Sequence, residues 1–168
     1  MNFSDNQNSF NNTFINNSNY INNFNNQNNN NNGNNSVSNN YNFQNEIKIN
    51  ITRDMHKAYV GFILKNPENE NEEKTISTGN WGCGAFGGNH QLKFLQQWIA
   101  ASLAGVKRLD YYTFGDKKME GIAENSMIIK YHFKTALKLY HFLIKYYHNL
   151  EKDNIINSIL KLNYLLKK

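Results

Sequence analysis

Apolar residues recur with different rhythms along this chain, and the rhythms predict its elements. Met55, Ala58, Tyr59, Phe62 and Ile63 stand at helical spacing and predict a helix over residues 54–64, with Asn50 or Thr52 as its cap. Just before it, Ile47 and Ile49 alternate with polar neighbours, where structure begins. Pro67 and the acidic, Asn-rich residues after it predict a loop over residues 66–74, and Thr75 to Ser77 reads as a short strand. Leu92, Leu95, Trp98, Ile99 and Leu103 then form one face of a second helix, with Asn89 as its N-cap and Gly105 as the glycine that ends it. Residues 107–114 alternate as a strand, Leu109, Tyr111 and Thr113 facing one way and Asp110, Tyr112 and Phe114 the other. Helical periods return over residues 117–129, weakened at Gly121, and then over 134–149 and 153–166. Strand, loop, helix, strand in that order implies a parallel strand pair with a crossover.

Upstream of residue 46 the rhythm disappears. Asparagine dominates, and Phe3, Phe10, Phe14, Tyr20, Phe24, Tyr41 and Phe43 follow no period. Asparagine favours turns and local side-chain bonds over helix and strand. Residues 1–45 therefore read as a disordered low-complexity segment, either an inert expansion or a weak self-association tract. Residues 46–168 form the structured part, which is enough chain for a small core.

Between the first strand and the second helix lies Thr78-Gly79-Asn80-Trp81-Gly82-Cys83-Gly84-Ala85-Phe86-Gly87-Gly88. Glycines without Cβ atoms reach positive φ and let an anion approach the backbone. A glycine turn feeding a helix N-terminus can direct several N–H groups, including those of Trp81 and Cys83, at a diphosphate. No Gly-Lys-Ser/Thr follows, which argues against a nucleoside-triphosphatase loop, and no acidic residue ends the following strand as a dinucleotide fold requires.

Asn80 to Gly88 resembles the diphosphate loop of the poly(ADP-ribose) glycohydrolases, whose catalytic domain is a macrodomain. Tyr112-Thr113-Phe114-Gly115-Asp116 downstream and His56-Lys57-Ala58-Tyr59-Val60-Gly61-Phe62 upstream match the same family in the same order. The resemblance covers about residues 51–147. The resemblance implies an α/β fold, an incomplete macrodomain-like sheet with flanking helices and a C-terminal helical region. It also implies that Asn80, Trp81, Gly82, Cys83, Gly84 and Ala85 wrap the diphosphate of ADP-ribose, that Phe86 lies near the bound ribose and that Phe114 lies against the adenosine. Trp81 also reads as a packing residue that fixes the loop.

The family places its acid in a Gly-Gly-Gly run followed closely by Gln-Glu-Glu. The segment upstream of Glu46 contains no glutamate, and Glu72-Glu73 is an adjacent pair in a hydrophilic loop with no glycine triad. Glycosidic cleavage needs a carboxylic acid for the leaving oxygen. No catalytic residue is therefore assigned, and the chain by itself is expected not to hydrolyse poly(ADP-ribose). The sheet is expected to be incomplete, with unpaired edges. A non-catalytic ADP-ribose-binding module and a truncated remnant are the other readings.

Composition narrows the rest. Net charge is +5, and the lysine excess lies in the C-terminal helical periods. Solvated helix faces explain it, and attraction to a polyanion is the second reading. Direct nucleic-acid binding is not expected; ADP-ribose, poly(ADP-ribose) and poly(ADP-ribosyl)ated proteins are the expected partners. Cys83, the single cysteine, cannot form an intramolecular disulfide. It also lacks a spaced His or Asp partner for nucleophilic chemistry. His90 either donates to a phosphate or is a surface histidine. His132, His141 and His148 have no metal-ligand spacing, so neither metal nor cofactor is expected. Without a signal peptide or a membrane-length apolar run, a nuclear or cytoplasmic location is expected.

Overall fold

The computed structural model describes residues 36–63 and 74–167, with side chains from residue 45 onward. Its elements are α1 (Ser36–Ile63), β1 (Thr75–Gly79), α2 (His90–Leu103), β2 (Arg108–Tyr112), α3 (Ile122–Phe133), α4 (Ala136–Tyr146) and α5 (Ile155–Leu165). Short 3-10 turns at Lys117–Met119 and Tyr147–Asn149 precede α3 and follow α4.

Helix α2 is the centre of the molecule. Every residue from Lys93 to Leu103 is buried, because three surroundings share its circumference. Phe94, Leu95, Trp98, Ile99 and Leu103 join one core with Met55 and Ala58 of α1, Leu139, Tyr140 and Leu143 of α4, and Ile155, Ile156 and Ile159 of α5. Ala101 joins Ile76 of β1 and Val106 in a smaller cluster that seats the strands on the helix. The small side chain of Ala101 is what allows the sheet to come close.

Strands β1 and β2 pair in parallel, from Thr75 opposite Arg108 to Gly79 opposite Tyr112. Among the described residues they form a two-stranded sheet, so the strand–helix–strand unit expected from sequence is present with small sheet content. The predicted helix boundaries hold closely around α2. Asn89 caps it by accepting from the Leu92 N–H at 2.9 Å, and Gly105, at φ 69°, lies just past its end. Gly121 (φ 71°) separates the 3-10 turn from α3, where weakening was expected.

Two expectations are corrected. Helix α1 starts at Ser36, inside the segment read as disordered to residue 45, and runs through the alternation at Ile47 and Ile49. Because it begins upstream, its core contacts at Met55 and Ala58 fall in its C-terminal half. For the same reason Asn50 and Thr52 are interior to the helix and cap nothing; Thr52 is buried, its hydroxyl 3.1 Å from that of Tyr140. The rest of the Asn-rich segment (1–35) and the loop containing Glu72-Glu73 lie outside the described residues.

Candidate functional site

The C-terminal ends of β1 and β2 lie side by side because the strands are parallel and in register at Gly79 and Tyr112. The glycine stretch leaves one and Thr113-Phe114-Gly115-Asp116 leaves the other. Ligands in parallel α/β folds sit at this edge.

Asn80 ties the two exits together. Its amide donates to the Thr113 carbonyl at 3.0 Å, and its side-chain oxygen accepts from the Tyr111 hydroxyl at 3.2 Å. Gln97 of α2 holds the start of the loop by donating to the Gly79 carbonyl at 3.1 Å. Burial pushes the Tyr111 phenol far above its usual range, with the nearby Cys83 adding to the shift, so the phenol remains a donor.

Gly79 has no alternative. A Cβ there would stand 2.7 Å from the Tyr112 carbonyl oxygen and 2.9 Å from the Phe114 ring. Phe114 itself holds φ 54°, a left-handed conformation rare for a bulky residue. It leaves the ring 84% exposed beside Gly79, 6.4 Å from Tyr112. Backbone strain of this kind collects at ligand sites.

The loop folds on itself through four amides. Trp81 N–H donates to Gly79 O, Cys83 N–H to Asn80 O, Gly87 N–H to Gly84 O and Gly88 N–H to Gly82 O. The expectation that the Trp81 and Cys83 amides face an anion is therefore corrected: both close the turn. Among the described residues, the amides of Gly82, Gly84, Ala85 and Phe86 have no backbone acceptor. An open cleft of about 520 Å³ is lined by Gly79, Asn80, Trp81, Cys83, Gly84, His90 and Phe114. Phe86 projects outward, 91% exposed.

Of the expected site residues, the structure brings Asn80, Trp81, Cys83, Gly84 and Phe114 onto this cleft. Gly82, Ala85 and Phe86 lie on the same loop without lining it. His90 lines it too. Its Nε2 stands 2.9 Å from an Asp116 oxygen, whose partner oxygen accepts from the Lys118 N–H. The sequence placed His90 at the start of α2 and Asp116 in a capping turn; their pairing across the two strand exits follows only from the fold. Burial pushes the Cys83 thiol up, Asp116 in the same direction, against the pull of Lys93 and Lys118. That is the opposite of an activated nucleophile.

The chain matches the family profile described as poly(ADP-ribose) glycohydrolase, Macro domain fold, over residues 2–121. It belongs to that family. The match starts well upstream of the motif blocks and stops at Gly121, so α3, α4 and α5 fall outside it, short of the residue 147 expected from the motif resemblance. Poly(ADP-ribose) glycohydrolase 1 of Arabidopsis thaliana is 32% identical over 103 residues, 61% of this chain and 19% of that protein. Poly(ADP-ribose) glycohydrolase 1 of Caenorhabditis elegans is 44% identical over 72 residues, 43% of this chain and 9% of that protein. Poly(ADP-ribose) glycohydrolase 2 of the same organism is 37% identical over 79 residues, 47% of this chain and 16% of that protein. The chain thus spans less than a fifth of the length of these relatives.

Proposed function

We propose that the cleft at the strand ends binds the diphosphate of ADP-ribose, as part of the poly(ADP-ribose) site of a glycohydrolase. The observation that carries this reading is the cleft at the N-terminus of α2, lined by Asn80, Gly84 and His90, on a loop whose own turns leave over the amides of Gly84 and its neighbours Gly82, Ala85 and Phe86. Orphan amides and the positive end of a helix both favour an anion. The exposed rings of Phe86 and Phe114 give the ribose and adenine apolar faces to lie against. His90, fixed by Asp116, forms part of the cleft wall.

This chain taken alone binds and does not cleave. Protonating a leaving ribose oxygen calls for a carboxylic acid held over the bond; among the described residues, no carboxylate lines the cleft, and Asp116, behind His90, is engaged with His90 and the Lys118 amide.

Calorimetric titration with ADP-ribose tests the binding half. Gly84 has open space where a Cβ would be, so Gly84→Glu is expected to fold normally, to set a carboxylate against the diphosphate and to abolish binding. A wild-type chain that ignores ADP-ribose overturns the reading. Release of ADP-ribose from polymer by the purified chain overturns the second half.

A further inference from the structure

The glycine loop rests on a side chain that no motif singles out. Lys93, in the first turn of α2, is almost wholly buried, and it runs beneath the loop toward α1. Its ammonium lies 2.7 Å from an Asp54 oxygen and 4.6 Å from the centre of the Trp81 ring. Its stem runs beside two glycines of the loop. A Cβ on Gly82 would stand 3.5 Å from Lys93 Cε, and one on Gly88 would stand 3.1 Å from it. Gly82 and Gly88 are also the residues that close the loop, through the Gly88 N–H to Gly82 carbonyl bond. Gly88 thus leaves room for the lysine as well as for the Gly82 carbonyl, while Gly82 serves the turn through its φ of 74°.

A buried ammonium is costly unless it is paired. Lys93 meets that cost with one carboxylate and one aromatic face, and both belong to segments remote from it in sequence. The three residues connect α1, the loop and α2 in a fixed order: Asp54, Lys93, Trp81. Lysine is suited to the place because its point charge serves a carboxylate and a ring at once on a slender stem. The same charge reaches Cys83 in the middle of the loop.

We propose that Lys93, anchored by Asp54, is the positioning residue of the diphosphate loop: it pins the Trp81 indole and the Gly82–Gly88 closure so that the remaining loop amides face one anion. This inference rests on the ADP-ribose reading of the cleft. It adds that affinity is set from behind the loop, by a lysine that does not line the cleft, and that Trp81 acts through Lys93.

Lys93→Met keeps an unbranched stem against Gly82 and Gly88 and removes the charge; Lys93→Arg restores the charge. Asp54→Asn keeps the shape of the anchor and is the second probe should Lys93→Met fail to fold. Two measurements are made on each folded variant: ADP-ribose affinity by calorimetry, and acrylamide quenching of tryptophan emission. Trp98 is 1% exposed and Trp81 43%, so quenching reports Trp81. Lys93→Met is expected to weaken ADP-ribose binding about tenfold, the size of a desolvated cation–π contact and its charge pair, and to raise quenching. Asp54→Asn should move both readouts in the same direction by less, and Lys93→Arg should recover part of each. A lysine that merely stabilised the fold would lower the melting temperature and leave the affinity of the folded molecules and the quenching unchanged; that result overturns the proposal. A wild-type chain that does not bind ADP-ribose defeats the reading of the cleft, while unaltered quenching in Lys93→Met and Asp54→Asn defeats the pinning of Trp81 independently.

Discussion

The two ends of helix α2 are built on opposite terms. Its C-terminal half is enclosed by apolar side chains: Trp98, Ile99 and Leu103 meet α1, α4 and α5, and Ala101 meets the sheet. Its N-terminal end is held by polar groups with distant partners. Asn89 donates to the Lys152 carbonyl, Gln91 accepts from the Ile156 N–H at 2.9 Å and donates to the Lys118 carbonyl at 3.0 Å, and Lys93 pairs with Asp54. Apolar packing is non-directional and supplies most of the stability. Hydrogen bonds and charges contribute less to stability but fix direction. The division teaches that one helix can be anchored at one end and aimed at the other, leaving the glycine loop exposed without leaving it unsupported.

Four substitutions or conditions break that contrast in decreasing order. Trp98→Ala strikes the apolar end and should cost about 3–5 kcal/mol in chemical denaturation, as large core truncations do. Gly79→Ala strikes the strand exits. The added methyl meets the Tyr112 carbonyl and the Phe114 ring, and about 1–3 kcal/mol of overpacking strain should appear as a lowered melting temperature. Gln91→Ala leaves the Ile156 amide at the start of α5 without its acceptor and should cost about 1 kcal/mol, as lost N-caps do; faster hydrogen exchange at Ile156 checks the location.

The smallest effect is acid dependence. Partial burial pushes the Asp54 carboxyl up, but the hydrogen bond and charge of Lys93, with Arg53 adding to both, outweigh it and hold the group below its ordinary 3.8. A carboxyl depressed on folding stabilises the folded state above its unfolded value and loses that contribution as pH falls through its folded value. The stability difference between wild type and Asp54→Asn should therefore be constant near neutrality and shrink below pH 3.8. Denaturation curves at a series of pH values read it directly.

Much of this was legible beforehand. The spacing of Leu92, Leu95, Trp98 and Ile99 announced α2, Asn89 and Gly105 marked its ends, and the short apolar runs on either side gave the parallel strands. The glycine stretch and Tyr112-Thr113-Phe114-Gly115-Asp116 named the family before any coordinates. Two local readings did not hold. Asparagines from Ser36 onward argued against helix, yet α1 extends through them. The loop's glycines suggested that the Trp81 and Cys83 amides were available, yet the turn itself uses both.

The order of residues was thus sufficient for α2 and its ends, the parallel strand pair and the family, because propensity, period and glycine placement act over a few neighbouring positions. Only the folded chain decided which amides remain for an anion, that His90 meets Asp116, and that Lys93 lies between Asp54 and Trp81. Those contacts join residues far apart in sequence, and their geometry exists only once α2 is packed among its neighbours.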